Sequence, residues 1–355
     1  MVRTRQGGGG AVTGPTDDTA VLTDVARGVV ALAQVDRLSS FTMPYPDDAQ
    51  AALDRLTLTC LLRTVPPPRS LADLVRWCGT RPLRDWPLRL PHVLLTADDH
   101  LVDVRRARPT RLCREWAADG DPGPDLRETD VKPERRLERR LFLAAHPVIS
   151  KVEAEVLGGD RRYRRAWRLV HELYGPVPAA LVEDGEVARC ATCGAPAAPL
   201  PDGGRLCERE DCPAPEVVGE RFPAAGALAL PAELRAAVIG VGRLEQSVVA
   251  AVQAIGGFAV DEAGLLRVVW PDGRPWRVVL RDNTNPVLLA REIARVRLPV
   301  DSARVLVVVP GNRLRVRRDY RDVFAHELPD GPELVTDDEV ADLAHARSRQ
   351  GRLDA

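Results

Sequence analysis

Apolar residues recur at helical spacing over residues 20–33 and again over 48–62, with Met43-Pro-Tyr-Pro46 between them. The spacing predicts two amphipathic helices, the second capped by Asp47 or Asp48. Ser70 ahead of Leu71-Ala-Asp-Leu-Val predicts a helix over 70–77. Three more are expected over 133–143, 150–157 and 161–174, the last two parted by Gly158-Gly159. Proline-rich loops join these segments, at Pro66-Pro-Pro68 and Asp121-Pro-Gly-Pro-Asp125. The N-terminal half is therefore mainly helical. Beyond residue 217 the pattern changes. Residues 231–255 read as one long helix weakened at Gly240 and Gly242. Strands are expected at Gly264-Leu-Leu-Arg-Val-Val-Trp270 and Trp276-Arg-Val-Val-Leu-Arg-Asp282, joined as a hairpin by Pro271-Asp-Gly-Arg-Pro275. A helix follows over 286–296, and the β-branched run Arg304-Val-Leu-Val-Val-Val-Pro310 reads as a fully buried strand. Helix, hairpin, helix and central strand make an α/β sandwich on a small mixed sheet.

Between the two halves lie Cys190-Ala-Thr-Cys193-Gly194 and Cys207-Glu-Arg-Glu-Asp-Cys212, separated by a stretch containing Pro201-Asp-Gly-Gly204. Each pair offers two thiolates to one ion, and the turn-rich stretch lets the chain fold back to join them. Cys190, Cys193, Cys207 and Cys212 thus read as the ligands of a structural zinc ribbon. The alternatives are disulfides or four unrelated buried cysteines. Cys60, Cys78 and Cys113 make the total odd and lie in apolar or helical segments, which speaks for reduced thiols and a cytoplasmic protein. Four thiolates saturate the ion, so a catalytic zinc with an activated water is not expected.

Size and charge change this picture in two places. At 355 residues the chain accommodates two globular units with small appendages, and no apolar run reaches the length of a membrane span. Met1 to Gly10 carries charge without a following hydrophobic region and reads as a flexible tail. The net charge of −1 conceals segregation: residues 131–168 hold eleven Lys or Arg against five acids, whereas 326–342 hold seven acids and no Lys or Arg. The cluster Arg161-Arg-Tyr-Arg-Arg-Ala-Trp167-Arg, with Arg161, Arg162, Arg164 and Arg165, has the make-up of a phosphate-gripping, base-stacking surface, and Arg313, Arg315, Arg317, Arg318 and Arg321 form a second basic stretch, with Arg315 and Arg317 as its candidate contacts. A solvated helix face with internal ion pairs is the competing reading. The acidic stretch is expected to be a tail, with a short helix from the capping box Thr336-Asp-Asp-Glu339. No phosphate-binding glycine loop with lysine, no histidine pair at metal-binding spacing and no serine elbow is present.

The element order is that of the restriction-endonuclease-like fold. From Leu230-Pro-Ala-Glu-Leu through Gly242-Arg-Leu-Glu245 to Trp276-Arg-Val-Val-Leu-Arg-Asp-Asn-Thr-Asn-Pro286, the chain resembles the nuclease-like protein encoded in pPIWI-RE three-gene defence islands. Pro109-Thr-Arg-Leu-Cys113-Arg-Glu is similar to a segment of that family's N-terminal domain, and the resemblance spans most of residues 20–328. It implies a subunit that acts against phage or plasmid DNA beside a PIWI protein and a DinG-like helicase, on DNA or an RNA–DNA hybrid. It also implies a Mg²⁺ site built from an aspartate on one strand and Asp-x-Lys on the next, where alternation puts carboxylate and ammonium on one face.

The matching positions read Val279-Leu280-Arg281-Asp282, and the first aspartate would fall near Leu265. Valine cannot ligate a hard cation, and arginine cannot release its proton to act as a base. Glu245 alone survives, so Glu245, Val279 and Arg281 mark a degenerate site. Arg281 is expected either at a DNA phosphate, with Arg277 on the same face, or in an ion pair with Glu245 or Asp282. Asp261, Glu262 and Asp272 are read as loop or turn residues, and are the acids available to an active nuclease with relocated carboxylates. Three functions stay open: an inactive nucleic-acid-binding subunit, that relocated Mg²⁺ nuclease, and a protein scaffold without DNA affinity. The expected organisation is a tail over 1–18, a helical domain over 19–185, a zinc ribbon over 186–216, the endonuclease-like domain over 217–328 and an acidic tail or helix over 329–355.

Overall fold

The computed structural model describes residues 17–35, 44–119, 133–200, 202–262, 265–270, 275–296, 298 and 303–353. Residues 1–16 of the expected 1–18 tail, the 121–125 loop, the 271–274 turn and Asp272 lie outside the described residues, and the tail's last two residues, Asp17 and Asp18, are the N-cap and first residue of a helix. The chain divides into two compact units after Asp119.

The first unit is helical. Helices α1 (Asp18–Gln34) and α2 (Asp47–Leu62) pack closely because Gly28 meets Ala49 and Ala52, where a Cβ would stand 2.9 Å from the Ala52 methyl. Pro46, not an aspartate, is the α2 N-cap, so Asp47 and Asp48 act only as acids in its first turn. Helix α3 (Leu71–Thr80) is capped as expected, with the Asp73 N–H donating to Ser70 Oγ at 3.2 Å. A two-strand ribbon, β1 (Val102–Asp103) and β2 (Arg108–Pro109), leads into α4 (Arg111–Ala117). Buried Asp18 ties the unit together, accepting from Arg63 Nη2 at 2.6 and 2.7 Å and from the Arg89 N–H at 2.6 Å.

The second unit starts with α5 (Pro133–Ala145), β3 (Val148–Ile149), α6 (Lys151–Gly159) and α7 (Arg164–Val170). Helix α7 is shorter than its periodicity suggests, a 3-10 turn taking over at His171–Leu173. With β3, strands β4 (Gly175–Pro176), β5 (Val182–Glu183), β6 (Glu186–Cys190), β7 (Ala197–Pro199), β8 (Arg205–Cys207), β9 (Val218–Pro223) and β10 (Leu228–Ala229) form three small antiparallel sheets, two of which carry a cysteine. Helices α5 to α7, expected in one N-terminal domain up to residue 185, thus belong by their packing to the second unit.

Helix α8 (Ala232–Ala254) runs without interruption. Gly242 does not break it. A Cβ there would stand 2.3 Å from the Ala144 Cβ, so the missing side chain is what lets α5 cross at this point. A five-stranded sheet follows, in the order β11 (Phe258–Glu262), β12 (Leu265–Val269), β13 (Trp276–Leu280), β14 (Arg304–Val309) and β15 (Glu333–Thr336). The pairs β11–β12 and β12–β13 are antiparallel; β13–β14 and β14–β15 are parallel. Helix α9 (Pro286–Arg295) makes the parallel crossover, and α10 (Gly311–Val316) and α11 (Tyr320–Glu327) lead to β15.

Register divides the sheet into two faces. Leu266, Val268, Val278, Leu280, Leu306, Val308 and Val335 pack with Leu244, Val248 and Val252 of α8. Leu265, Val279, Val307, Val309 and Leu334 pack with Leu289 and Ile293 of α9 and Tyr320 and Phe324 of α11. Two expectations are corrected here. Asp261 and Glu262 are not loop residues but stand in β11, opposite Leu266 and Leu265. The acidic stretch is not a tail: it supplies β15 and α12 (Asp337–Leu353), whose Val340 and Ala344 are buried in the core. Its capping box forms as read, with the Glu339 N–H donating to Thr336 Oγ1 at 3.3 Å and the Thr336 N–H to Glu339 Oε2 at 2.8 Å.

Candidate metal centre and nuclease-like site

Strands β6 and β8 end on Cys190 and Cys207, and each is followed by a turn that returns a second cysteine. In the first turn Gly194 adopts a φ of +66°, and its N–H donates to the Cys190 carbonyl at 2.9 Å. Glycine enters that left-handed conformation without steric cost. In the second, the Arg209 N–H points at Cys207 Sγ, 3.4 Å away. All four cysteines are buried, none is in a disulfide, and their Sγ atoms lie within 4.8 Å of one another. The closest approaches are 3.5 Å for Cys190–Cys212 and 3.3 Å for Cys193–Cys207. Four sulfurs at zinc–thiolate distance from the centre of a tetrahedron lie about 3.8 Å apart, so the quartet fits a single ion. The four thiols also perturb one another: the hydrogen bond with Cys207 pulls Cys193 down to about 5 and pushes Cys207 well up, while burial pushes Cys212 up to about 11. The quartet can hold a metal such as zinc.

The three residues of the degenerate nuclease site do not meet. Val279 is fully buried on the α9 face of the sheet, whereas Glu245 lies on α8, against the opposite face. Arg281 stands just past β13 and pairs with neither Glu245 nor Asp282; its Nε donates to Glu292 Oε1 of α9 at 2.5 Å. Arg277 is buried and paired with Glu262. Asp282 is held by Arg313 Nη2 at 2.7 Å. Among the described residues, the first-strand position Leu265 belongs to the apolar core.

Instead, a charge cluster forms on the α8 face. Arg140 of α5 donates to both oxygens of Glu245, at 2.6 Å from Nη2 and 3.1 Å from Nε, and through Nη1 to Asp261. The Glu245 and Asp261 side chains are 3% and 1% exposed. Burial pushes the Glu245 carboxyl up, with Arg140 opposing it; burial would lower the Arg140 guanidinium, but its two carboxylates more than reverse this. Arg140 escaped the sequence reading because it lies 105 residues from Glu245. The available signal was the acid itself, since a glutamate on the buried stripe of a helix demands a cation.

The basic residues divide as well. Arg161, Arg162, Arg164 and Arg165 are exposed, joined by Lys151 and Arg168 and by Tyr163 at 42% exposure. Arg165 approaches Glu138 at 3.6 Å and Arg164 donates to the Gly159 carbonyl. Trp167 is turned inward, packed on Phe142 and Tyr174. Arg315 is exposed, but Arg317 is buried and paired with Asp319 at 3.1 Å, which removes it from the surface.

Comparison with known families agrees with this layout. The model described as pPIWI_RE three-gene island domain Y matches residues 21–153, and that described as REase associating with pPIWI_RE matches residues 244–352. The second match begins on the part of α8 that carries Glu245, takes in the five-stranded sheet and ends in α12. No curated protein and no solved structure matches the chain. Two island-specific matches, one on a helical N-terminal region and one on a mixed sheet, place the chain in a family: it belongs to the nuclease-like, REase-associated proteins of pPIWI-RE three-gene islands.

Proposed function

We propose that this protein is a nuclease-like subunit of a cytoplasmic defence system against phage or plasmid DNA that no longer cleaves phosphodiesters. It binds nucleic acid, DNA or an RNA–DNA hybrid, beside a PIWI protein and a DinG-like helicase. Its Cys190, Cys193, Cys207 and Cys212 form a zinc ribbon that holds one structural ion and leaves no open coordination position.

The observation that carries the loss of cleavage is Val279. The strand position that needs a hard-cation ligand holds an apolar side chain sealed between the sheet and α9. The exposed ledge of Arg161, Arg162, Arg164, Arg165 and Arg168 with Tyr163 supports nucleic-acid contact, because guanidiniums in water are free to replace counterions on phosphates. A gel shift at low salt tests it: no binding to duplex, single strand or hybrid would leave the scaffold reading.

One observation favours an active nuclease with relocated carboxylates, namely the convergence of Glu245 and Asp261. Against it, they converge on a guanidinium, which occupies the cation position. The deciding experiment is cleavage of labelled DNA and hybrid with Mg²⁺ or Mn²⁺, comparing the wild type with Glu245→Ala. No cutting by either is expected. Robust Mg²⁺-dependent cutting that disappears in Glu245→Ala would overturn the proposal.

A further inference from the structure

The turn between Cys207 and Cys212 carries Glu208, Arg209, Glu210 and Asp211, and two of its three acids, Glu208 and Asp211, reach into the nuclease-like part of the unit. Glu208 binds Arg235 in the first turns of α8, at 2.7 and 2.8 Å. Arg235 is 2% exposed, and its guanidinium also donates to the Leu230 carbonyl. Asp211 binds Arg313 of α10 at 3.1 Å. Arg313 is 8% exposed and at once grips Asp282, just past the end of β13, at 2.7 and 3.0 Å. A third arginine, Arg243 of α8, donates to the Cys193 carbonyl in the other turn.

The turn is tied to its surroundings at both ends: Cys207 N–H donates to the Pro215 carbonyl, Glu208 N–H to the Pro196 carbonyl at 2.8 Å, and Cys212 N–H to the Arg209 carbonyl at 3.3 Å. Within it Arg209 also holds Asp211, at 2.6 and 3.0 Å. Strand β8, which enters it, is three residues long and pairs with β7. The convergence of its two end cysteines with Cys190 and Cys193 adds to these bonds, and an ion among the four sulfurs would lock both ends of the turn at once. Buried guanidiniums in turn require carboxylates at fixed positions, since an unpaired buried charge is expensive.

We infer that the cysteine quartet and the end of the nuclease-like sheet are energetically coupled, so that metal in the quartet orders residues 281–285, α10 and the start of α8 through the Asp211–Arg313–Asp282 and Glu208–Arg235 contacts. This rests on the zinc reading of the quartet and adds what the ion does at a distance. Coupling is reciprocal: whatever weakens the arginine contacts lowers metal affinity by the same factor by which metal loss weakens the contacts. The metal therefore acts on the strand end where the family's catalytic residues stand, and not only on its own turns.

Hydrogen exchange on the full chain tests this, with zinc content measured in parallel. Stripping zinc from the wild type with a chelator should raise exchange at 281–285 and 311–317 and leave α1 unchanged. Asp211→Asn should keep one bound zinc but lower its affinity about five- to 150-fold, the usual range for coupled sites. Arg313→Gln should abolish the response of 281–285 to zinc removal. Zinc that is present and removable with no change in exchange at 281–285 and 311–317 overturns the coupling alone, and needs no variant to fold. Wild-type affinity in Asp211→Asn overturns it too. A purified wild type that binds no zinc overturns the ribbon reading together with it.

Discussion

Replacing Arg140 with alanine removes the guanidinium shared by two carboxylates that are 3% and 1% exposed, while Arg140 itself is 25% exposed. Taking one partner out of a buried ion pair costs about 3–5 kcal/mol, because the charge left behind has neither water nor a counterion. For a domain of this size that lowers the melting temperature by roughly 6–20 °C, at about 2–4 °C per kcal/mol. The loss must depend on pH with a definite sign. Burial already holds the Glu245 carboxyl above its ordinary range, and Arg140 is what restrains it. A carboxyl raised in the folded state keeps a proton that the unfolded chain releases. Its contribution to stability is complete below the unfolded value and is lost as pH rises through the folded one. Without Arg140 the folded value rises further, so Arg140→Ala should be far less stable than the wild type at pH 8 and close the gap as pH falls towards 5.

Urea or thermal unfolding followed by circular dichroism at the two pH values measures this directly. Adding Glu245→Gln and Asp261→Asn to Arg140→Ala should recover much of the loss at pH 8, since neutral amides carry no buried charge. If Arg140→Ala costs the same at both pH values, or the triple variant is no more stable than the single one, the cluster is held by packing of the arginine stem and the electrostatic account fails.

Val279→Asp with Arg281→Lys, which rewrites the nuclease strand to the family pattern, should yield unstable protein without cleavage. Its new carboxylate enters an apolar pocket beside Leu289 and Val307, and melting curves with a nuclease assay check both halves of that statement. Gly242→Ala should destabilise by about 1–3 kcal/mol despite better helix propensity, because its methyl would fall 2.3 Å from the Ala144 Cβ; a urea midpoint equal to that of the wild type would show that α5 can yield. Cys190→Ser with Cys193→Ser should lose the bound zinc in elemental analysis and lower the melting temperature of the second unit. Arg161→Glu with Arg162→Glu should weaken nucleic-acid binding and flatten its salt dependence, by about 0.9 in slope for each duplex phosphate that is no longer neutralised.

What could be read in advance was whatever depends on near neighbours. The cysteine spacing, the caps at Ser70 and Thr336 and the β-branched strands over 276–280 and 304–309 are local patterns, and the structure realises each of them. The fifth strand was hidden because Glu333-Leu-Val-Thr336 is four residues long and flanked by acids, so charge outweighed its two apolar positions. Those acids have partners: Glu333 meets Arg304 across the strands at 2.6 Å, and Glu339 meets Arg321. Gly242 misled for the opposite reason. A glycine in a helix weakens it in isolation, yet here it makes room for a neighbouring helix that lies some hundred residues earlier, and no local pattern records that. The pairings of Arg140, Arg281 and Arg313 are likewise long-range and fall outside any spacing rule.

The fate of the arginines also decides how the chain's charge should be understood. Arginine is nearly the sole basic residue, so a count of positive charge along the sequence suggests several nucleic-acid footprints. Yet Arg205, Arg235, Arg277, Arg313 and Arg317 are each under 9% exposed, and Arg140 is enclosed by two acids; they serve as internal counter-ions to Glu183, Glu208, Glu262, Asp211, Asp282, Asp319, Glu245 and Asp261. A guanidinium suits this role, since it stays charged when buried and its planar fork can serve two carboxylates at once. The exposed run of Arg161, Arg162, Arg164 and Arg168 is thereby set apart from these, with Arg165 beside it against Glu138 at 3.6 Å. A positive charge can release counterions from a phosphate backbone only if no carboxylate has already claimed it. By that criterion the ledge formed by α7 and the turn before it is the first place to look for nucleic acid; in the stretch from Arg313 to Arg321, acids hold Arg313, Arg317 and Arg321, and Arg315 and Arg318 stay exposed.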